Sequence, residues 1–156
     1  NVGVSLVAEY RNRYRNSLNS VVYFALLPFR LQDPAVVSKY LGETTINGQP
    51  YHKIEVTFGR EGGGKDFEDR FVYWIHRDRS SMDYLAYRFH VDDGGVRFRE
   101  AYNVRRVGGI RFADYINYKP EPDSREVGTF DALFEQGVMK ELSRIDTEDI
   151  EVKVLP

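Results

Sequence analysis

The sequence predicts an α+β fold: a strongly curved antiparallel β-sheet, an incomplete barrel, with a long N-terminal helix packed on its concave face. Three observations predict it. From Pro50 to Lys119 the chain runs in long strand-like stretches, aromatic on both faces, with the two-residue period of β-strands. Asn47-Gly48, the turn from Asp92 to Gly95, and Gly108-Gly109 join such stretches and are far too short for the crossovers that parallel strands need. Ahead of them Val7, Tyr10, Tyr14, Leu18, Val21 and Ala25 recur every three or four residues, which is one face of a helix.

The helix is expected from about Ala8 to Leu26, with Glu9, Arg11, Arg13, Arg15, Asn16 and Asn19 on its remaining surface. Pro28 ends it, because the residue before a proline is pushed out of the α region. A turn around Asp33-Pro34 leads to a strand from Val36 to Thr44, and Asn47-Gly48 tolerates the positive φ of a hairpin. From Tyr51 to Phe58, Ile54, Val56 and Phe58 share one face, with Lys53, Glu55 and Thr57 on the other. Asp69 to His76 carries Phe71, Tyr73 and Ile75 against Val72 and Trp74. A strand apolar on both sides belongs near the centre of a sheet. After a polar turn at Arg77 to Ser81, Met82 to Val91 sets Leu85, Tyr87, Phe89 and Val91 on one face. Val96 to Val107 opposes Val96, Phe98, Tyr102 and Val104 to Arg97, Arg99, Asn103 and Arg105. Ile110, Phe112, Ile116 and Tyr118 mark the last long strand, broken by Asp114. Phe130 to Gln136 suits one or two helical turns ending at Gly137, and Ile150 to Val154 a short final strand. Strands this long, with Gly-Gly corners, suit a strongly bent sheet.

The chain reads as a single domain over residues 1–156, without repeats or linkers. Its start at Asn1, without Met or a signal-type segment, reads as a processed or trimmed product, with a signal peptide, a lipidated Cys or further N-terminal strands of a longer precursor as the alternatives for what it lacks. A formal net charge of −2 argues against nucleic acid as a partner, which would demand a basic footprint. The longest apolar run, Val21 to Phe29, is interrupted by Pro28 and is too short to span a membrane. With no cysteine there is no disulfide, thiol nucleophile or thiolate metal site.

The motifs that suggest chemistry have plainer readings. Gly59-Arg-Glu-Gly-Gly-Gly-Lys65 has phosphate-loop spacing, but Asp66 stands where Ser or Thr should bind magnesium. A strand follows, not a helix N-terminus to hold the anion, so the segment reads as a hairpin loop. His52, His76 and His90 lie on separate strands without ligand spacing, so no metal or other cofactor is expected. Neither a nucleophile elbow nor a zinc-protease helix is present, and no catalytic residue is assigned. Arg11, Arg13 and Arg15, and then Arg97, Arg99, Arg105 and Arg106, read as solvated basic faces, with contact to a headgroup or acidic partner as the other reading. The 11 Tyr, 10 Phe and one Trp read either as core or as the lining of an apolar cavity under a curved sheet.

Tyr23-Phe24-Ala25-Leu26-Leu27-Pro28-Phe29, Asp33-Pro34, Leu41-Gly42-Glu43 and Ile46-Asn47-Gly48 resemble an uncharacterised family of bacterial envelope proteins. So do Tyr51 to Phe58 and Asp69 to Ile75. More distantly, the order of the Ile54-Glu55-Val56 strand, the Tyr73-Trp74-Ile75 strand, a charged turn and Met82-Asp83-Tyr84-Leu85 is similar to periplasmic lipoprotein carriers of the LolA type. Those are incomplete barrels that carry acyl chains, and His76 stands where they more usually have Asp. The resemblance implies a periplasmic or cell-envelope location and non-catalytic binding or carriage of a lipid or acyl chain. The expected lining is Ile54, Val56, Phe58, Leu85, Tyr87, Phe89, Phe98 and Tyr102, with Phe24 and Leu27 as helix-side cover. Two other readings stay open: a protein–protein interaction module using the apolar sheet face, and a hydrolase-like enzyme with a His–carboxylate pair. Ligand identity, partner and oligomeric state are not legible.

Overall fold

A computed structural model of the 156-residue chain describes residues 8–59, 69–90 and 94–154. The chain divides into two compact units, 1–33 and 34–156.

The first unit contains helix α1 (Ala8–Ala25) and a 3-10 turn at Phe29–Gln32. Tyr10, Tyr14, Leu18 and Val21, the stripe expected to lie on a sheet, are each more than half exposed. Arg11, Arg15 and Asn19 are exposed as well, so the apolar stripe is narrower than the arc a core-facing helix carries. The expectation of a long helix packed on the concave face of the sheet therefore finds no support.

The second unit is a seven-stranded antiparallel sheet whose strands stand side by side in sequence order. They are β1 (Val36–Ile46), β2 (Gln49–Phe58), β3 (Arg70–His76), β4 (Met82–Phe89), β5 (Gly95–Val107), β6 (Ile110–Pro120) and β7 (Met139–Ile145). With β1 and β7 at the two edges the sheet is open, not a closed barrel. The hairpin signals act as read: Asn47 and Gly48 have φ of 50° and 71° between β1 and β2. Gly108 and Gly109 have φ of 55° and 84° between β5 and β6. The last strand is a correction. Residues 150–154 join no ladder, and β7 lies earlier in the chain. Ile150, Val152 and Val154 alternate as a strand would. β7 is an edge strand with six of its seven residues exposed, and so displays no apolar period.

Register divides the side chains between two faces. One carries Tyr51, Lys53 and Glu55 from β2, Val72 and Trp74 from β3, Ala86 from β4, and Phe98 and Tyr118 from β5 and β6, as the cross-strand pairs require. This is the core face. Ile46, Tyr51, Val72, Trp74, Tyr84, Ala86 and Phe98 are buried there together with Val127 and Phe130. Its cover is the short helix α2 (Phe130–Glu135) and the 3-10 turn before it (Val127–Thr129). Lys53 Nζ holds both carboxylate oxygens of Asp131 at 2.8 and 3.0 Å and lies 5.7 Å from the centre of the Trp74 ring, pinning α2 to the sheet. The second face carries Ile54, Val56, Phe71, Tyr73, Leu85 and Tyr87. Because β3 is buried on both sides, its two-sided apolar sequence is explained.

Candidate functional site

The second face gathers most of the expected ligand-lining residues. Phe58 meets Phe71 edge-on at 5.7 Å, Phe71 stacks on Tyr73 at 6.2 Å and on Tyr87 at 5.7 Å, and Tyr87 leans on Phe89 at 5.9 Å. These are ordinary aromatic pair distances, and they make one continuous row across β2, β3 and β4. Val56 and Leu85 are buried in the same face, and Ile54 is half-buried. Two cations close the row. Arg97 lies over Phe89 at 5.5 Å and Arg99 over Tyr87 at 5.2 Å. Arg99 donates to Tyr87 Oη at 2.9 Å and to Asn117 Oδ1 at 2.7 Å. Burial pushes its guanidinium below the ordinary value, partly offset by Tyr87.

Phe98 and Tyr102 do not join the row. Phe98 is paired with Ala86, whereas Leu85 is paired with Arg99, so Phe98 faces the core. There it is fully buried among Trp74, Tyr84, Tyr118 and Phe134. Tyr102 hydrogen-bonds the Asp146 carboxylate and carries Arg144 over its ring. Phe24 and Leu27 belong to the first unit, where both are half-buried and Phe24 meets Tyr23 edge-on at 5.5 Å.

A second feature was not foreseen as a site. Tyr51, Arg79, Ser81, Asp83, Tyr84, Ala101, Val104, Arg105, Arg106 and Arg111 line an open cleft of about 610 Å³ at one end of β2 to β6. Asp83 is its hub: it accepts from Arg79 at 2.9 Å, Arg111 at 2.8 Å and Tyr51 Oη at 3.2 Å. Burial, reinforced by Asp83, pushes the Tyr51 phenol up. Burial pushes Tyr84 up to about 12, with the Asn47 hydrogen bond opposing. Both hydroxyls therefore stay protonated donors at neutral pH. Two register shifts border the cleft. One falls between Trp74 and Ile75, where Asp83 is the residue without a partner in the ladder. The other falls between Tyr102 and Arg105, with Asn103 at φ 45°. Each bulge turns the side chains that follow it.

The three histidines stay apart. His76 is the last residue of β3 and holds the turn that follows. Its Nδ1 accepts from the amides of Asp78 and Arg79, each at 3.2 Å, which places the proton on Nε2, 3.3 Å from Gln49 Oε1. His90 meets Asp69 at 3.2 Å, and His52 meets the Tyr40 hydroxyl at 3.2 Å. Among the described residues no three His, Asp or Glu side chains converge as metal ligands. The glycine-rich run from Arg60 to Lys65, and Asp92 and Asp93, lie outside the described residues.

The sequence pattern of a family described as a family of unknown function, DUF6503, matches residues 4–147. The chain belongs to DUF6503. The expected resemblance to an uncharacterised family is thus shown at that level. The finer likeness to LolA-type carriers finds no support in the comparisons. No curated protein matches the chain, and no solved structure does. DUF6503 membership assigns no activity to the aromatic row or to the arginine cleft.

Proposed function

We propose that the protein binds a hydrophobic ligand, a lipid or acyl chain, without catalysis, in the bacterial cell envelope, on a strongly curved half-barrel of the LolA type. The observation that carries this reading is the aromatic row from Phe58 through Phe71 and Tyr87 to Phe89 on the face opposite α2. Apolar surface withdrawn from water there contributes roughly 25 cal/mol per Å², and Arg97, half-buried over Phe89 at its end, suits an acidic headgroup. No described helix is long and apolar enough to cross a membrane. Native mass spectrometry of the purified protein tests the reading. Extra mass released by organic solvent is expected, and its retention should fall in Phe58→Ala and Phe89→Ala. A ligand-free monomer that also fails to take up a fluorescent fatty acid overturns it.

An interaction module built on α1, and not on the apolar sheet face that the sequence reading named, is favoured by a different observation, the exposure of Tyr10, Tyr14, Leu18 and Val21. A defined dimer dispersed by Leu18→Glu supports it, and a monomer at all concentrations removes it.

A further inference from the structure

We infer that the cleft at the ends of β2 to β6 is a binding site for an oxyanion, the phosphate or carboxylate group of a small organic ligand. This goes beyond the hydrophobic-ligand reading and uses none of the residues of the aromatic row. The chain carries a net charge of −2, yet Arg79, Arg105, Arg106 and Arg111 converge on one cleft of about 610 Å³. That volume falls within the range of about 300–1,000 Å³ usual for small-molecule sites. The carboxylates present leave charge over. Asp83 serves both Arg79 and Arg111, and Asp114 lies 3.1 Å from Arg105. Among the described residues four guanidiniums line the cleft against one lining carboxylate, Asp83, with Asp114 on Arg105 and Glu100 on Tyr84 beside it, so positive charge is left over. Among the described residues Arg106 makes one hydrogen bond, to the Gly109 carbonyl at 3.1 Å, which leaves most of its fork for another acceptor.

An independent observation points the same way. Ser81 lines the cleft, and its Oγ is shielded from solvent with no hydrogen-bond partner among the described residues. The Tyr51 and Tyr84 hydroxyls line the same space, with their protons already given to Asp83 and Glu100. Guanidinium forks and a serine hydroxyl are donors, and together they suit a ligand group made only of acceptors. The bulges at Asp83 and before Arg105 bring these residues together from separate strands, where a regular ladder would alternate them between faces.

Isothermal titration with inorganic phosphate, and separately with succinate, tests the assignment at low and high salt. One of the two is expected to bind, more weakly as salt rises. Arg106→Ala should weaken that binding about tenfold or more, the loss of one charge-assisted contact. Ser81→Ala should weaken it less, and both variants should fold, since neither side chain holds a strand to its neighbour. Arg125→Ala is the control: it removes the same charge from an exposed residue outside the cleft. No binding of either anion overturns the inference. So does equal weakening in Arg106→Ala and Arg125→Ala, which would mean attraction to bulk charge. Vesicles of phosphatidylglycerol distinguish the source of the group. Vesicle binding that excess phosphate displaces assigns the site to a lipid headgroup. Phosphate binding without vesicle binding assigns it to a soluble ligand.

Discussion

Phe98→Ala should be among the most damaging single truncations in the sheet, because Phe98 belongs to the core face and not to the ligand-lining row. The ring is fully buried and touches four others. Their centroids lie at 5.1 Å (Phe134), 5.5 Å (Trp74), 5.7 Å (Tyr84) and 6.4 Å (Tyr118). Truncating a buried Phe to Ala costs about 3–5 kcal/mol, and the site has little means to collapse because its neighbours are rigid rings on three strands and a helix. The upper half of the range is therefore expected, about 4 kcal/mol, against the roughly 5–15 kcal/mol that holds a domain folded. Phe89→Ala is the reference. Phe89 is half-buried and leans on Tyr87 at 5.9 Å, under Arg97, so about 1–2 kcal/mol is expected. Urea denaturation followed by tryptophan fluorescence reads both, since Trp74 is the one tryptophan and sits beside Phe98. The two variants should share a denaturant slope and differ in midpoint. Losses within about 1 kcal/mol of each other would refute the assignment of faces.

Asp131→Ala strands the Lys53 ammonium, only 15% exposed, and should cost about 3–5 kcal/mol, whereas Lys53→Met combined with Asp131→Leu should be nearly neutral in a denaturation cycle. Burial pushes the Asp114 carboxyl up, but the Thr147 amide, Asn103 and Arg105 together outweigh it and hold it below the usual carboxylate range. Its stabilising effect is thus complete above about pH 4 and lost as pH falls through the depressed folded value, so Asp114→Asn should flatten the acid limb of a stability–pH curve. Gly108→Ala should cost more than Gly109→Ala in thermal melts. Both glycines have positive φ, but a methyl at Gly108 would meet Val152 Cβ at 2.6 Å, while one at Gly109 meets nothing within 4 Å.

The strands were legible where turn chemistry and burial agree. Asn47-Gly48 and Gly108-Gly109 announce their hairpins because few other residues accept φ of 50° to 84°. β3 announces its central place because both its faces are covered. β7 was hidden because an exposed edge needs no apolar period. Residues 150–154 misled for the converse reason: Val152 packs beside Gly108 without joining a ladder. Face assignment failed at Phe98 because alternation tells which residues share a face, not which face it is. Only the pairing of Ala86 with Phe98 settles that. Of the cleft, Arg105 and Arg106 were visible as a basic pair. Arg79, Asp83 and Arg111 come from other strands and turns, and bulges that leave no mark in composition bring them in.

In the second unit every strand neighbour in space is also a strand neighbour in sequence. Residues 59–69 separate β2 from β3, and residues 121–138, with α2 among them, separate β6 from β7. From β1 to β2 and from β3 to β6 each pairing closes a short loop, so little chain entropy is spent in those hairpins before a contact is rewarded. Such a sheet should fold quickly for an all-antiparallel architecture. The same order also lets an edge strand peel away without unthreading anything else. Proteolytic nicking at either edge would shorten the sheet and leave its centre standing.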